Sequence, residues 1–284
     1  MKSMRFWQKL IARLQGRPKV PRRVALVLGG GAARGFAHVG VIRVLEQEKI
    51  PIHMIVGTSV GSLIGAIYAA TPDRPHLEGI ALQLERDDLV DYSILTLKKG
   101  LILGDRLERF VSQRVNVSRI EDLKITFAAV ATDIRTGERV ILNRGPLAPA
   151  VHASCALPAV FQPVELDGRL LVDGGILESL PVPTAKFLGA EVTIAVDVGT
   201  RVKNIQAADL VTVVIQALSI SGAEMRRRHA QEADVLIHPD VNGIGAFDFS
   251  QKERCVEAGA VAAREALPRI REVLAAHRIF LPRS

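Results

Sequence analysis

The chain has 284 residues, 48% hydrophobic and 4% aromatic, enough to bury a large core. Its two cysteines, Cys155 and Cys255, show no motif spacing, which argues against a disulfide framework and points to a reducing compartment. The formal charge of +7 is unevenly placed: residues 1–23 hold eight Lys and Arg and no acid, whereas the remainder carries 29 basic against 30 acidic residues.

The first segment, residues 1–22, is a basic amphipathic arm. Met4, Trp7, Leu10, Ile11 and Leu14 recur at helical spacing among its Lys and Arg. Such a segment can lie in an anionic membrane interface, or form a basic tail or a helix packed on the domain. It does not read as a signal peptide, because Lys9 and Arg13 interrupt the apolar stretch and no small-residue cleavage site follows. No run reaches the roughly 18–20 apolar residues that span a bilayer. The expected location is cytoplasmic, peripheral to the inner membrane face. Nucleic acid is not an expected partner, since aromatic residues are few and no reading motif occurs.

Residues 23–284 read as one domain. Val24–Leu28 is a short buried strand, followed by a helix over about 36–48, a strand at Met54–Val56 and a helix at Val60–Ala70. Helical stretches follow near 77–89 and 105–115, with mixed polarity across 71–104, which is expected to form a lid over a site or a plain connector. A strand pair is predicted at 125–131 and 139–142. Asp167-Gly168 predicts a hairpin turn between 161–166 and 169–172. Beyond it come a helix near 182–188, a strand at 192–196, a helix at 205–228, a strand at 235–238 and a helix at 252–277. This alternation predicts a three-layer α/β/α sandwich with a mainly parallel central sheet.

Three places in this order carry chemistry. Gly57-Thr58-Ser59-Val60-Gly61 stands between a strand and a helix, where a tight turn flanked by glycines exposes a serine hydroxyl. Gly29-Gly30-Gly31-Ala32-Ala33-Arg34-Gly35 follows the first strand and opens a helix, so several amides can converge on an anion, either a phosphate or a developing oxyanion. It does not fit a dinucleotide fingerprint: the third glycine of one register is Arg34 and the middle glycine of the other is Ala32. Parallel pairing would bring these two strand ends side by side. Asp173-Gly174-Gly175 ends the hairpin's second strand. Alone it reads as a turn; with the other two it makes Asp173 a candidate base.

With these residues in place the chain resembles the patatin-like phospholipases, serine lipid acyl hydrolases that use a Ser–Asp dyad without histidine. Gly29 to Gly40, Gly57 to Gly61 and Asp173 to Gly175 carry the resemblance. Supporting segments are Ala131-Thr132-Asp133 with Thr136-Gly137, residues 153–163 and Leu180-Pro181-Val182. It spans roughly residues 22 to 240 and is similar to compact bacterial members and to the catalytic domain of neuropathy target esterase. The resemblance implies Ser59 as nucleophile, Asp173 as general base, Gly57 and Gly61 as the flanks of the nucleophile turn, and an oxyanion hole around Gly30, Gly31, Ala32 and Arg34. The implied reaction is hydrolysis of phospholipid or lysophospholipid acyl esters through an acyl-enzyme, with no cofactor and no metal. One departure stands out: Ala32 replaces a glycine common in the family, and alanine resists positive φ.

Two other functions fit parts of the pattern. A non-catalytic phosphate- or lipid-binding regulatory module would use the glycine loop alone. A soluble-ester esterase with a Ser-His-Asp triad would need a histidine after Asp173, from among His229, His238 and His277. His238, at the end of a strand, reads as structural, and His38 as a packed support of the glycine loop.

Overall fold

The computed structural model describes residues 23–89, 103–200, 210–246 and 248–281. The arm at 1–22 and part of the proposed lid, 90–102, lie outside the described residues. The eight strands are β1 (Val24–Leu28), β2 (Met54–Thr58), β3 (Thr126–Asp133), β4 (Arg139–Leu142), β5 (Val164–Leu166), β6 (Arg169–Asp173), β7 (Val192–Val196) and β8 (Val235–Ile237). They form one sheet in the order β5-β6-β3-β2-β1-β7-β8, with β4 also on β3. β1, β2, β3, β7 and β8 run parallel, whereas β4 and β6 run antiparallel to β3 and β5 antiparallel to β6.

The helices are α1 (Phe36–Gln47), α2 (Val60–Ala70), α3 (Arg74–Gln83), α4 (Asp105–Arg114), α5 (Leu147–Cys155), α6 (Gly175–Glu178), α7 (Val182–Phe187), α8 (Leu210–Gln231) and α9 (Lys252–Ala276). Both faces of the sheet are covered. Val24, Leu26 and Leu28 of β1 face the core built by α1, α2 and α9. Ala25 and Val27 face the other way, with Met54, Val56, Ala128 and Val130, onto Leu180 and α7 residues Val182 and Ala185. Burial on both faces explains why the central strands read as unbroken apolar runs rather than as alternating ones. The expected three-layer α/β architecture is therefore the one found. Among the described residues no helix is long and apolar enough to cross a membrane.

Element ends moved by a few residues. The stretch 77–89, read as one helix, is α3 from Arg74 with a break at Leu84-Glu85 and a further turn at Arg86–Leu89. Lys252 Nζ donates to the carbonyls of Leu82 and Leu84, at 3.0 and 2.9 Å, and pairs with Glu85, which fixes the break. With Leu77, Ile80 and Ala81 buried, α3 belongs to the fixed helical layer.

α1 and α9 cross at very close range. A Cβ on Gly40 would lie 1.8 Å from the Val256 carbonyl oxygen, and one on Gly259 would lie 1.9 Å from that of Ala37. Each glycine thus receives the other helix's backbone. Gly40→Ala is expected to cost about 3 kcal/mol or more in urea unfolding, because rigid backbone leaves the methyl no room. Gly79→Ala, on the exposed face of α3 with nothing within 4 Å of the added Cβ, is expected to gain about 0.5–1 kcal/mol from helix propensity.

Candidate active site

The site forms where two strands meet end to end along one flank of β3. β2 occupies that flank from Thr126 to Val130, with Thr58 opposite Val130. β6 occupies it from Ala131 to Asp133, running the other way, with Asp173 opposite Ala131. β4 takes the opposite flank across the junction, pairing with Ala129 to Thr132. β2 and β6 therefore end at successive positions of β3, and the residue leaving β2, Ser59, faces the residue ending β6, Asp173.

Ser59 turns the chain from β2 into α2 at φ 54° and ψ −129°, a conformation that costs a non-glycine residue of order 1–3 kcal/mol and needs support from its surroundings. Its carbonyl accepts the amides of Ser62 and Leu63 at 2.8 and 3.2 Å and the Ser62 hydroxyl at 2.7 Å. Its own amide donates to Ser154 Oγ at 3.0 Å, and that hydroxyl donates to the Val130 carbonyl at 2.7 Å. Ser154, on α5 and fully buried, bridges the gap where β2 ends and β6 has not begun. Gly57 and Gly61 let the turn close: a Cβ on Gly57 would meet Gly61 and Ser62 backbone at 2.5 Å, and one on Gly61 the Leu28 carbonyl at 2.2 Å.

Asp173 is buried. Its Oδ1 accepts the Gly175 amide at 2.7 Å, and the nearby Ser59 hydroxyl also favours the carboxylate form. Burial pushes the carboxyl up to about 6; the Gly175 amide and the Ser59 hydroxyl pull it back only in part.

The glycine loop faces this pair but divides its tasks. The Gly30 amide donates to the Ser179 carbonyl at 2.8 Å, so it ties the loop to the segment after Asp173 and is not available to an oxyanion. Among the described residues no acceptor takes the amides of Gly31 or Ala32. Ala32 adopts φ 52°, the left-handed backbone that alanine disfavours. Arg34 turns its side chain away from a donor role in the hole: Nε donates to the Gly31 carbonyl at 3.1 Å and Nη1 to Thr200 Oγ1. His38 supports the loop from below, with Nε2 2.8 Å from the Gly29 carbonyl. Burial lowers its pKa to about 4, so it is a neutral donor at working pH.

Ser59 and Asp173 open into a cavity of about 420 Å³ whose walls include Leu63, Ile64, Leu107, Leu157, Phe161 and Leu218. Leu84, from the stretch read as a lid, is also in its wall. Gly31, Arg34 and Arg226 border the cavity, but among the described residues no histidine does. His238 is instead 3.7 Å from Asp197, which also pairs with Arg226 at 3.3 Å. Cys155 lines the cavity too, and burial and the Asp173 charge raise its thiol far above the reactive range. Ala131-Thr132-Asp133 with Thr136-Gly137 builds the β3–β4 hairpin: Asp133 exchanges backbone bonds with Glu138 and Gly137 and caps Arg135.

A family model described as patatin-like phospholipase matches residues 26–186. An uncharacterized NTE family protein of Mycobacterium tuberculosis is 41% identical over 187 residues, covering 65% of this chain and 51% of the relative. Another from that organism is 32% identical over 276 residues, covering 87% of this chain and 46% of the relative. The chain thus spans about half the length of these relatives. The crystal structure of VipD from Legionella pneumophila superposes with a TM-score of 0.57 at 16% identity, covering 87% of this chain and 66% of that one, which shows a shared fold.

Two stability measurements test this geometry. Ser154→Ala leaves the Ser59 amide and the Val130 carbonyl without their bridge and is expected to cost about 1–3 kcal/mol in urea unfolding. Asp173→Asn should act in the opposite direction. With the folded carboxyl near 6 against 3.8 for an unperturbed aspartate, the native state binds the proton more tightly. Wild-type stability therefore falls as pH rises from about 4 to 6. Asn carries no such charge, so Asp173→Asn is expected to be more stable than wild type by about 1–3 kcal/mol at pH 8, the difference vanishing at pH 4.

Proposed function

The chain belongs to the patatin-like phospholipase family, and from that premise we propose that it is a serine lipid acyl hydrolase acting on phospholipid or lysophospholipid esters. The observation that carries the proposal is the head-on meeting of a backbone-strained Ser59 with a buried Asp173 at adjacent positions of β3.

In this reading Ser59 Oγ attacks the ester carbonyl while its proton passes to Asp173. An ordinary aspartate, with a pKa of about 3.9, is a poor base for this step; burial brings Asp173 to about 6, closer to working pH and a better match for proton transfer. The oxyanion forms against the amides of Gly31 and Ala32, whose donors are otherwise uncommitted. Collapse of the tetrahedral intermediate releases the alcohol, which takes the proton from Asp173, and leaves an acyl-enzyme on Ser59. A water then attacks the acyl carbon, giving its proton to Asp173, and the released Ser59 recovers a proton from the same carboxyl. The apolar walls suit an acyl chain. The absence of histidine from the described walls favours the dyad over a Ser-His-Asp triad, and the open cavity beside Ser59 favours catalysis over a binding module.

A fluorophosphonate probe read by intact mass tests the proposal. Wild type is expected to gain one adduct, folded Ser59→Ala none, and Asp173→Asn to react about 10²–10⁴-fold more slowly. Absence of an adduct on folded wild type, with and without vesicles, overturns the hydrolase reading. For a dissolved ester, kcat/KM should be half-maximal near pH 6 and fall tenfold per unit below it, because a protonated Asp173 cannot accept the serine proton.

A further inference from the structure

α8 has two apolar faces, and the cavity uses only one. Ile215, Leu218, Ser219, Gly222 and Arg226 line the cavity, at the three- and four-residue spacing of one helical face. The other side of the helix's first three turns points outward and is apolar as well: Leu210 is 77% exposed, Val213 46% and Ile220 54%, with Ala217 exposed between them. At about 100° per residue these four fall within an arc of roughly 80°, opposite the cavity-lining set. The other exposed large apolar residues among those described are spread over other elements, as on any soluble protein.

Charge follows the apolar turns along the same helix. Arg227 and Arg228 are exposed and both bond to Glu224, leaving one net positive charge in that cluster. They stand about 10 Å beyond Ile220 along the axis. Apolar side chains followed by arginines at this distance suit a helix whose first turns enter the acyl region while its guanidinium groups lie at phosphate depth. A second copy of the chain fits less well. The outward face exposes on the order of a few hundred Å², below the ~800 Å² per partner of a stable interface. Insertion into lipid needs no such area, since each buried side chain contributes separately.

We infer that the outward face of α8 docks on an anionic lipid surface, with the Ser59 cavity on the other side of the same helix. A lipid would then pass from the bilayer to Ser59 around a single helix, without leaving an apolar surface for water. The identity of what passes rests on the hydrolase reading; the docking itself does not.

The experiment uses the full chain and vesicles of phosphatidylcholine with phosphatidylglycerol. An environment-sensitive dye on Ala217→Cys reports insertion at that position, whatever residues 1–22 do, and the unsubstituted chain labelled in parallel gives the background from Cys155. Vesicles are expected to shift the dye blue and brighten it several-fold, and not to do so for the dye on exposed Lys124→Cys, just before β3 at the end of the sheet away from Ser59. The double variant Val213→Asp with Ile220→Asp is expected to reduce hydrolysis of vesicle lipid at least about tenfold while leaving turnover of a dissolved short-chain ester within about twofold. An unchanged dye at 217, or a double variant that acts on vesicles like wild type, overturns the docking. A dimer on gel filtration that the double variant splits also overturns it, in favour of a second copy. A dye shift with no turnover of either substrate by wild type keeps the docking and rejects the hydrolase reading. Turnover of the dissolved ester without a dye shift does the reverse.

Discussion

The site depends on how one flank of β3 is shared. A strand offers each flank a fixed ladder of backbone groups, and here two strands of opposite direction divide one flank at successive residues, Val130 and Ala131. Ser59 and Asp173, the side chains proposed to react, are placed by backbone register rather than by flexible loops, and a register is hard to shift because one step would turn every side chain to the other face. The junction leaves polar backbone groups that neither β2 nor β6 can satisfy. Ser154 meets two of them with one hydroxyl. Gly174 lets the chain leave β6 there, since a Cβ on it would stand 2.2 Å from the Val130 carbonyl. A side chain at Gly174 would push the chain leaving β6 off the Val130 carbonyl.

The second constraint is electrostatic. Under the proposed mechanism a serine paired directly with an aspartate lacks the imidazole that would match its proton affinity, so the carboxylate itself must become a stronger base. Burial does this, at a cost to the folded state whenever Asp173 is charged. The Gly175 amide and the Ser59 hydroxyl act against burial and favour the ionised form. Further donors would strengthen ionisation and weaken the base. His38 shows the complementary solution, since burial holds it neutral and leaves it a fixed donor to the glycine loop.

Features set by local chemistry were legible in the sequence. Ser59 announced itself because Gly57 and Gly61 must flank a turn of this kind, and β1, β2 and β7 because strands buried on both faces are continuously apolar. Features set by distant partners were not. Whether the Gly30 or the Gly31 amide is uncommitted depends on where the Ser179 carbonyl arrives, and no local pattern encodes that. The partners of the Arg34 guanidinium, the Gly31 carbonyl and Thr200, were likewise set by the fold and not by the local sequence. α5 was missed because Leu147–Cys155 contains Pro149 and small residues and is buried nearly all round, so it carries no amphipathic stripe. Ser154 stands in the segment 153–163 that supports the resemblance, but its bridging role depends on that helix and could not be read there. Ala32 was flagged as resisting positive φ and adopts it, held by the Ala33 amide donating to the Ala246 carbonyl at 2.8 Å immediately after it.

α8 joins these constraints to access. It packs with α6 and α7, and Ile215, Leu218, Ser219, Gly222 and Arg226 along it line the cavity. A helix in that position must be apolar toward the cavity, yet a helix apolar on both sides costs solubility unless its outer side meets something other than water. Under the proposed docking, lipid resolves that conflict and fixes orientation. Basic charge at residues 1–22 can attract an anionic surface only over about a Debye length, and a concentrated charge on a chain terminus does not choose which face of the domain arrives first. Insertion of Val213 and Ile220 would choose, because burying those side chains brings the helix that lines the cavity to the bilayer. Attraction and orientation would then be separable properties of one chain, the first sensitive to salt and the second to the apolar face of a single helix.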